Sequence, residues 1–326
     1  MSFRRLTLAT ALAGVLAAPL VQAKDTGYIF VSSEKDNAVT VLDGKSYDVV
    51  KVIKTGKRAR DMHFDAGHTR LYVVASDSGR VDVIDVAKLE VVDRIPVGED
   101  PEMFALSADA GTLYVSSEED SALTVVDAAS KKIVRQIKVG GEPEGVLLTP
   151  DGKTAYVTSE VANMVSVVDV ASGQSQAKIV VGNRPRRFAL TPDGKELWVS
   201  NELGGSVSIV DTATHKVVAT VKFEPKGFRA DDVTPVGLTM SRDGKTVWVA
   251  LGRANHVAAV DVAARKVSDY VLVGKRAWSV ALDRSEARLF VANGLSDDVS
   301  VIDTATHKAL RAIKTGRVPH TVAIDD

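Results

Sequence analysis

The chain has 326 residues, of which 45% are hydrophobic, and this is enough material for a large core. A formal net charge of −1 gives no support to a nucleic acid or an anionic membrane as a partner. The absence of cysteine excludes disulfides, thiolate metal ligands, c-type haem attachment and cysteine nucleophiles.

The first 23 residues have the features of a signal peptide. Arg4 and Arg5 give a positive start, residues 6–20 are apolar and small, and residues 21–23 resemble an A-x-A cleavage site. We therefore expect a mature chain that begins at Lys24 and is periplasmic. The apolar stretch is too short for a confident membrane span, so none is predicted in the mature chain. The arginine pair leaves both Sec and twin-arginine export open.

A short phrase, apolar-x-apolar-apolar-Asp, recurs seven times along the rest of the chain. It ends at Asp43, Asp85, Asp127, Asp169, Asp211, Asp261 and Asp303. Every step is 42 residues except the step from Asp211 to Asp261, which is 50. A strand-like repeat with a period near 40 predicts a β-propeller. Seven copies predict an all-β, seven-bladed β-propeller that occupies residues 24–326 as one domain.

Each repeat contains four short, Val-rich runs separated by turn residues, as in EGVLLT, TAYVTSE, VSVVD and AKIVVG between Pro143 and Gly182. This pattern predicts a four-stranded antiparallel meander, strands a to d, with strand a nearest the central channel. The chain begins with strands b, c and d and ends with a lone strand a after Pro319. We expect these N-terminal strands to pair with the C-terminal strand and close the ring, which removes free sheet edges.

The loops divide between two faces. The a-to-b and c-to-d loops are repetitive turns, such as the Pro-Asp-Gly-Lys sequence at 150–153, and are interpreted as structural. The d-to-a and b-to-c loops vary, and their face is called the mouth face. Its b-to-c loops carry one glutamate at an equivalent position in four repeats: Glu34, Glu118, Glu160 and Glu202. We expect each to bond to a backbone amide of its own loop.

The d-to-a loops are predicted to surround the channel mouth. The residue after the proline position is, in successive loops, Arg60, Glu102, Glu144, Arg186, Val236, Trp278 and His320. Two interpretations stay open, namely a ring of inter-blade ion pairs and a ligand site. In the first, Arg60 pairs with Glu102, and Glu144 pairs with Arg186.

Three arginines, Arg184, Arg186 and Arg187, fall within four residues of one d-to-a loop and strand. Guanidinium forks suit carboxylates, so the cluster is a candidate for binding a small anion or an acidic partner surface. Trp278 either stacks on a planar ligand or fills the mouth. His63, on strand a, is either a satisfied core histidine or a haem or metal ligand with His320 as its mate.

The eight extra residues of the long step lie in the d-to-a loop 223–235. Insertions in repeat proteins commonly map to the binding side. We predict a flap over the mouth, with Phe228, Arg229, Asp231 and Asp232 as candidate contacts. The alternative is an insertion with no role, because long surface loops cost little free energy.

The strand-b phrases YVVAS, YVSSE and YVTSE, which begin at Tyr72, Tyr114 and Tyr156, recur in register with VxVxD and Gly-x-x-Pro. Together they resemble the YVTN family of seven-bladed propellers from Tyr28 to Asp326. The leader, size and register are closest to the β-propeller proteins associated with PQQ-dependent alcohol catabolism. That resemblance implies a non-enzymatic protein with an association with PQQ, and a periplasmic quinoprotein dehydrogenase or a cytochrome c as partner.

Enzyme motifs are absent: there is no G-x-S-x-G, P-loop or H-E-x-x-H. We therefore expect the mouth face to bind a partner protein or a small anionic ligand in support of quinoprotein-dependent oxidation. The alternative, taken from more distant members of the architecture, is a metal-dependent lactonase-like hydrolase or a haem-binding propeller. A lactonase needs acids and asparagines that converge on one cation. Glu34, Glu118, Glu160, Asn201 and Glu202 lie at equivalent loop positions around the ring, and because such positions on distant blades diverge, we do not expect them to converge on one ion.

Overall fold

The computed structural model describes residues 25–326, so the predicted signal peptide lies outside the described part. Seven four-stranded antiparallel sheets form the blades of a β-propeller. The first strands of neighbouring blades contact one another in an unbroken ring around the central channel. The predicted fold class is confirmed. Among residues 25–326, no helix is long and apolar enough to cross a membrane.

The blades are numbered in chain order. Blade 1 contains β1 (Tyr28–Ser33), β2 (Ala38–Asp43) and β3 (Val49–Lys54). Blade 2 contains β4 (Ala59–Phe64), β5 (Arg70–Ala75), β6 (Arg80–Asp85) and β7 (Glu90–Pro96). Blade 3 contains β8 (Pro101–Leu106), β9 (Thr112–Ser117), β10 (Ala122–Asp127) and β11 (Lys132–Lys138). Blade 4 contains β12 (Pro143–Leu148), β13 (Thr154–Ser159), β14 (Met164–Asp169) and β15 (Gln174–Val180).

Blade 5 contains β16 (Pro185–Leu190), β17 (Glu196–Asn201), β18 (Ser206–Asp211) and β19 (Lys216–Lys222). Blade 6 contains β20 (Leu238–Met240), β21 (Thr246–Ala250), β22 (His256–Asp261) and β23 (Lys266–Leu272). Blade 7 contains β24 (Ala277–Leu282), β25 (Arg288–Asn293), β26 (Asp298–Asp303) and β27 (Lys308–Lys314). The last strand is β28 (Pro319–Asp325), and single 3-10 turns occur at Ser76–Ser78 and Ala230–Asp232.

Strand β28 closes the ring by pairing antiparallel with β1, so it supplies strand a of blade 1. The buried Asp325 fixes this junction, because its carboxylate accepts a hydrogen bond from the backbone N–H of Thr26 at 3.0 Å and contacts His68 Nδ1 at 2.9 Å. Ring closure by the two ends of the described chain is thus confirmed.

Burial explains the pattern of apolar and polar residues in each repeat. Strands b and c are sandwiched between neighbouring blades, so they are almost entirely buried, as in β5 and β6. The outermost strand d is exposed except for one aliphatic residue near its end, such as Ile53 or Ile137. The repeat aspartates serve the c-to-d turns: Asp127 Oδ1, for example, accepts the N–H of Ser130 at 2.7 Å. They are therefore structural residues.

Candidate functional site

The mouth residues are positioned by hydrogen bonds between blades. In four blades a strand-b hydroxyl donates to the main-chain carbonyl of the residue after the proline position in the next blade. These bonds are Ser32 to Arg60, Ser116 to Glu144, Thr158 to Arg186 and Ser200 to Val236, at 2.5, 2.6, 3.0 and 2.7 Å. The first residues of strand a therefore have fixed backbones. One cavity of about 360 Å³ at the mouth is lined by the side chains of Arg60, Glu102, Glu144, Arg186 and Trp278.

Ion pairs fill the centre of this mouth cavity. Arg60 contacts Glu102, and its Nη2 lies 3.5 Å from Glu144 Oε1. Arg186 Nη2 lies 2.9 Å from Glu144 Oε1, and Arg186 also contacts Glu160. All five side chains are at most 5% exposed. Both ion pairs anticipated from the sequence are present, and they belong to one network that crosses four blades, from blade 2 to blade 5.

The loop glutamates do not cap their own loops, which corrects the expectation drawn from side-chain-to-backbone bonding. Within the described residues, the carboxylates of Glu34, Glu160 and Glu202 face the arginines of the d-to-a loops, whereas Glu118 lies among other carboxylates. Glu34 Oε1 lies 3.4 Å from Arg60 Nε, and Glu202 Oε2 lies 3.3 Å from Arg184 Nε. Coulomb attraction to a neighbouring guanidinium outweighs a local amide bond here because the carboxylates are largely removed from water.

The three clustered arginines separate in the structure. Arg184 sits on the rim, half-exposed, with its Nη2 2.7 Å from Glu160 Oε2. Arg186 is buried in the ion-pair network. Arg187 points to a different part of the channel, because successive side chains of a strand alternate in direction, and it lines the cavity at the opposite end.

Trp278 and His320 complete the mouth on the side of blades 7 and 1. The guanidinium carbons of Arg276 and Arg186 lie 4.9 and 5.2 Å from the Trp278 ring centroid, so the indole is packed between cations. His320 Nε2 accepts from Arg60 Nε at 3.2 Å and Arg187 Nη2 at 3.0 Å. Burial and these two arginines hold the pKa of His320 well below its usual value, so the ring is neutral.

Carboxylates outnumber their local partners on one side of the mouth. Two triads share Glu118: Asp100, Glu102 and Glu118, and Glu118, Glu142 and Glu160, with ligand oxygens within 4.8 Å of one another. Burial raises the pKa of Glu118, and the nearby Asp100 raises it further. Burial also raises the pKa of Glu160 to about 7. The nearby carboxylates of Glu144 and Glu202 raise it as well, and together these effects outweigh the attraction of Arg186 and Arg184, which lowers it. The expectation that Glu118 and Glu160 diverge is wrong.

The insertion lies beside the mouth. Phe228 packs edge-on against His256, with ring centroids 5.3 Å apart, and Ala230–Asp232 form a single 3-10 turn. Phe228 and Asp231 line a groove of about 610 Å³ together with Leu203 of blade 5. Of the described residues that line the mouth cavity itself, none belongs to this loop, so Phe228, Arg229, Asp231 and Asp232 do not cover the mouth as a flap.

An exposed apolar arc on the mouth face escaped the sequence analysis. Its members are Val161, Val180, Leu203, Phe228, Leu272 and Leu295, all on blades 4 to 7 and the insertion. In blades 1, 2, 3 and 6, the positions equivalent to Val161 carry Lys35, Asp77, Glu119 and Arg253. The fold therefore does not require an apolar residue there. Aligning the seven repeats for solvent-facing positions would have revealed this asymmetry.

His63 lies at the far end of the channel from the mouth. Its Nε2 is 2.9 Å from Asp61 Oδ2, which also accepts the backbone N–H of Phe104 at 3.3 Å. His320 faces the mouth, and both of its ring nitrogens are engaged, since Nδ1 contacts Thr321 Oγ1 at 2.9 Å. The two histidines therefore do not form a joint ligand pair.

Comparison with known proteins supports the propeller. Residues 7–154 match a model of the YNCE-like beta-propeller, and residues 171–325 match a model of the 7-bladed beta-propeller lactonases. No curated protein sequence matches the chain.

Solved structures with the same fold belong to diverse proteins. Hydrazine synthase of Kuenenia stuttgartiensis superposes with a TM-score of 0.79 at 23% identity, covering 91% of this chain and 99% of that one. A functionally unknown protein of Desulfotomaculum acetoxidans gives 0.78 at 17% identity, covering 91% and 98%. Dihydro-heme d1 dehydrogenase NirN, in complex with DHE, gives 0.71 at 16% identity, covering 95% and 78%. These similarities show the fold alone.

Proposed function

We propose that this seven-bladed propeller is a non-enzymatic periplasmic binding module whose mouth face docks a partner protein in support of PQQ-dependent, quinoprotein alcohol oxidation. The observation that carries the proposal is the apolar arc. Exposed aliphatic side chains that the fold does not require mark protein-interaction surfaces when they are contiguous and bordered by polar groups. The arc borders the charged mouth, which supplies such a polar region.

Between the two binding modes expected from the sequence, the contacts favour a protein over a small anion at the mouth. Arg60 and Arg186 already have carboxylate partners, and an incoming anion would have to displace Glu102, Glu144 or Glu160. Arg184 is more accessible, yet it also faces Glu160 and Glu202. A periplasmic quinoprotein dehydrogenase or its cytochrome c is the partner that the family resemblance implies.

The test is a binding measurement between the mature protein and a purified quinoprotein alcohol dehydrogenase and cytochrome c. The variant Val161→Lys/Leu203→Lys/Leu295→Lys adds charge to the arc. Burying three ammonium groups against an apolar partner surface should weaken association at least tenfold. A tenfold change in Kd corresponds to about 1.4 kcal/mol of binding free energy. The matched control is Val134→Lys, since Val134 is 60% exposed and Val161 is 65% exposed, but Val134 lies on the outer strand of blade 3.

Equal binding by wild type and the triple variant would contradict the docking surface, as would no binding to either protein. A separate arm adds PQQ and follows the melting temperature. A ligand at about 100 times its Kd stabilises by roughly 2.7 kcal/mol. A PQQ-dependent rise that is lost in Arg184→Gln would replace the protein-docking proposal with a small-anion site at the rim.

One observation favours a second candidate, a metal-dependent lactonase-like hydrolase. The triads around Glu118 offer the carboxylate oxygens that hard divalent cations prefer. A bound cation would supply a Lewis acid for lactone opening. Against it, Glu102 and Glu160 already face arginines. Calorimetry with Ca²⁺, Mg²⁺, Mn²⁺ and Zn²⁺ on wild type and Glu118→Gln decides this, because a metal site must weaken in the variant.

A further inference from the structure

The end of the channel opposite the mouth contains the larger of the two central cavities, about 570 Å³, which we call the cup. It is lined by strand-a residues from all seven blades, so it lies on the propeller axis. Its volume falls within the range of about 300–1,000 Å³ that small-molecule sites occupy. The cup shares no arginine or glutamate with the lining of the mouth cavity.

Apolar side chains make up about half of the lining surface of the cup, beside polar residues such as Asp61, His63 and Ser279. Large side chains from six blades form its apolar walls, namely Leu106, Leu148, Phe188, Leu238, Val280 and Ile324. Several of these, including Leu106 and Leu148, are only partly buried, because they face the cavity. A ligand body in contact with these walls must itself be largely apolar.

The floor of the cup holds a buried cation without a carboxylate partner. Three arginines are buried in the described chain: Arg60, Arg186 and Arg187. The first two each contact at least two glutamates, whereas Arg187 has no carboxylate oxygen within 4.0 Å among residues 25–326. Burying a charge without a counter-ion is costly, so such a group is expected to have a partner in its working state.

Two further polar atoms on the floor lack partners. The Nε of Arg187 and the Oγ of Ser279 are buried and make no hydrogen bond within the described chain. Glu144 and Asp61 attract Arg187 electrostatically, but neither carboxylate lies within 4.0 Å of it, and that of Asp61 is engaged by His63 and by the Phe104 N–H. Within the described chain, the guanidinium is held by its Nη2 contact to His320 and lies 6.0 Å from the Trp278 ring centroid. The floor therefore has unused donors beside a positive charge that has no direct ion pair within residues 25–326.

We infer that the cup is a binding site for a small amphipathic carboxylate, with the carboxylate on Arg187 and Ser279 and the hydrocarbon body against the apolar walls. This site goes beyond the proposed docking function and uses the opposite face. A guanidinium donates to a carboxylate in a fork geometry, and low surrounding polarity strengthens that contact. The apolar body supplies affinity through the area it removes from water.

The probe is octanoate, titrated calorimetrically into the full mature protein, with octanamide as its uncharged equivalent and acetate as its short equivalent. We expect octanoate to bind and the two equivalents to bind at least tenfold more weakly. Arg187→Met should reduce octanoate affinity by about tenfold to a hundredfold, which is the usual contribution of a hydrogen bond to a charged group. Arg184→Met, at the mouth, is the matched control and should bind octanoate as wild type does.

The variant Val280→Trp adds bulk to the cup from blade 7 and leaves Arg187 in place. It therefore tests the inference independently if Arg187→Met does not fold. It should weaken octanoate binding while the protein keeps its melting temperature without ligand. The inference is overturned if octanoate does not bind wild type up to its solubility limit, which would leave water as the partner of Arg187. It is also overturned if octanamide binds as tightly as octanoate, or if both variants bind like wild type.

Discussion

The two ends of the channel bury arginines in opposite ways. The mouth cavity is lined by six arginines and six glutamates, and its buried guanidinium groups contact carboxylates of neighbouring blades. The cup is lined by a single arginine, Arg187, without a carboxylate within 4.0 Å in the described chain. The mouth arginines have their counter-ions within the ring, so we assign them a structural role. Arg187 has no such counter-ion in contact within the described residues, so we assign it to a ligand. Whether a buried arginine has a carboxylate partner therefore distinguishes a structural role from a binding role better than the presence of a charge does.

Replacement of neighbouring arginines should give the largest contrast. Arg186→Met leaves Glu144 and Glu160 buried without their main partner, and we expect a loss of about 3–5 kcal/mol in the free energy of unfolding. Arg187→Met removes an unmatched charge and fits the apolar cup, so its effect should stay within about 1 kcal/mol. Urea unfolding of both variants at neutral pH measures the difference. Equal losses would show that Arg187 is a structural member of the mouth network.

The mouth should also respond to pH through Glu160. The pKa of this carboxyl is raised from 4.5 to about 7 in the folded protein, so between these values the native state holds a proton that the unfolded state has released. Stability must therefore fall as pH rises across this window, by up to about 3 kcal/mol. Glu160→Gln should remove most of this slope. Unfolding curves from pH 4.5 to 7.5 check it, and identical slopes would place the titration elsewhere.

The cup should respond in a different window, through Asp61 and His63. Their ion pair raises the pKa of His63 above 6.5 and lowers that of Asp61 below 3.8, although Arg187 opposes the positive histidine. The histidine contribution is present below pH 6.5 and is lost as pH rises through its folded pKa. The aspartate contribution is present above pH 3.8 and is lost as pH falls through its folded pKa.

Because His63 is 44% exposed, we expect its pair with Asp61 to contribute at most about 1 kcal/mol, centred between these limits. Asp61→Asn should lower the pKa of His63 in an NMR titration and leave the Glu160 slope unchanged. A histidine pKa that does not move would show that the pair is not formed in solution.

The period and the turn residues predicted the propeller because every repeat contains the same local structural signals. These are Val-rich strands, an aspartate that closes the c-to-d turn, and glycine where a turn needs positive φ. The position of Arg60 and Glu102 at the mouth followed from the register of strand a. The sequence also anticipated the inter-blade pairs Arg60–Glu102 and Glu144–Arg186. It did not predict the contacts of the loop glutamates with these arginines, such as Glu34 with Arg60, because they depend on how neighbouring blades pack. That Arg187 has no carboxylate in contact within the described chain depends on where the inner strands of all seven blades place their side chains. The sequence of a single repeat does not contain this information.

The smallest contrast concerns two buried serines. Ser200 Oγ accepts the N–H of Arg187 at 3.0 Å and donates to the Val236 carbonyl at 2.7 Å, so Ser200→Ala leaves two buried backbone groups unsatisfied and should cost about 1–2 kcal/mol. Ser279 Oγ has no partner in the described chain, so Ser279→Ala should leave stability unchanged or raise it by less than about 1 kcal/mol. Thermal unfolding of the two variants, with and without octanoate, separates the roles. If Ser279→Ala were as destabilising as Ser200→Ala, its hydroxyl would be part of the fold and the floor of the cup would lose one of its two unpaired polar groups.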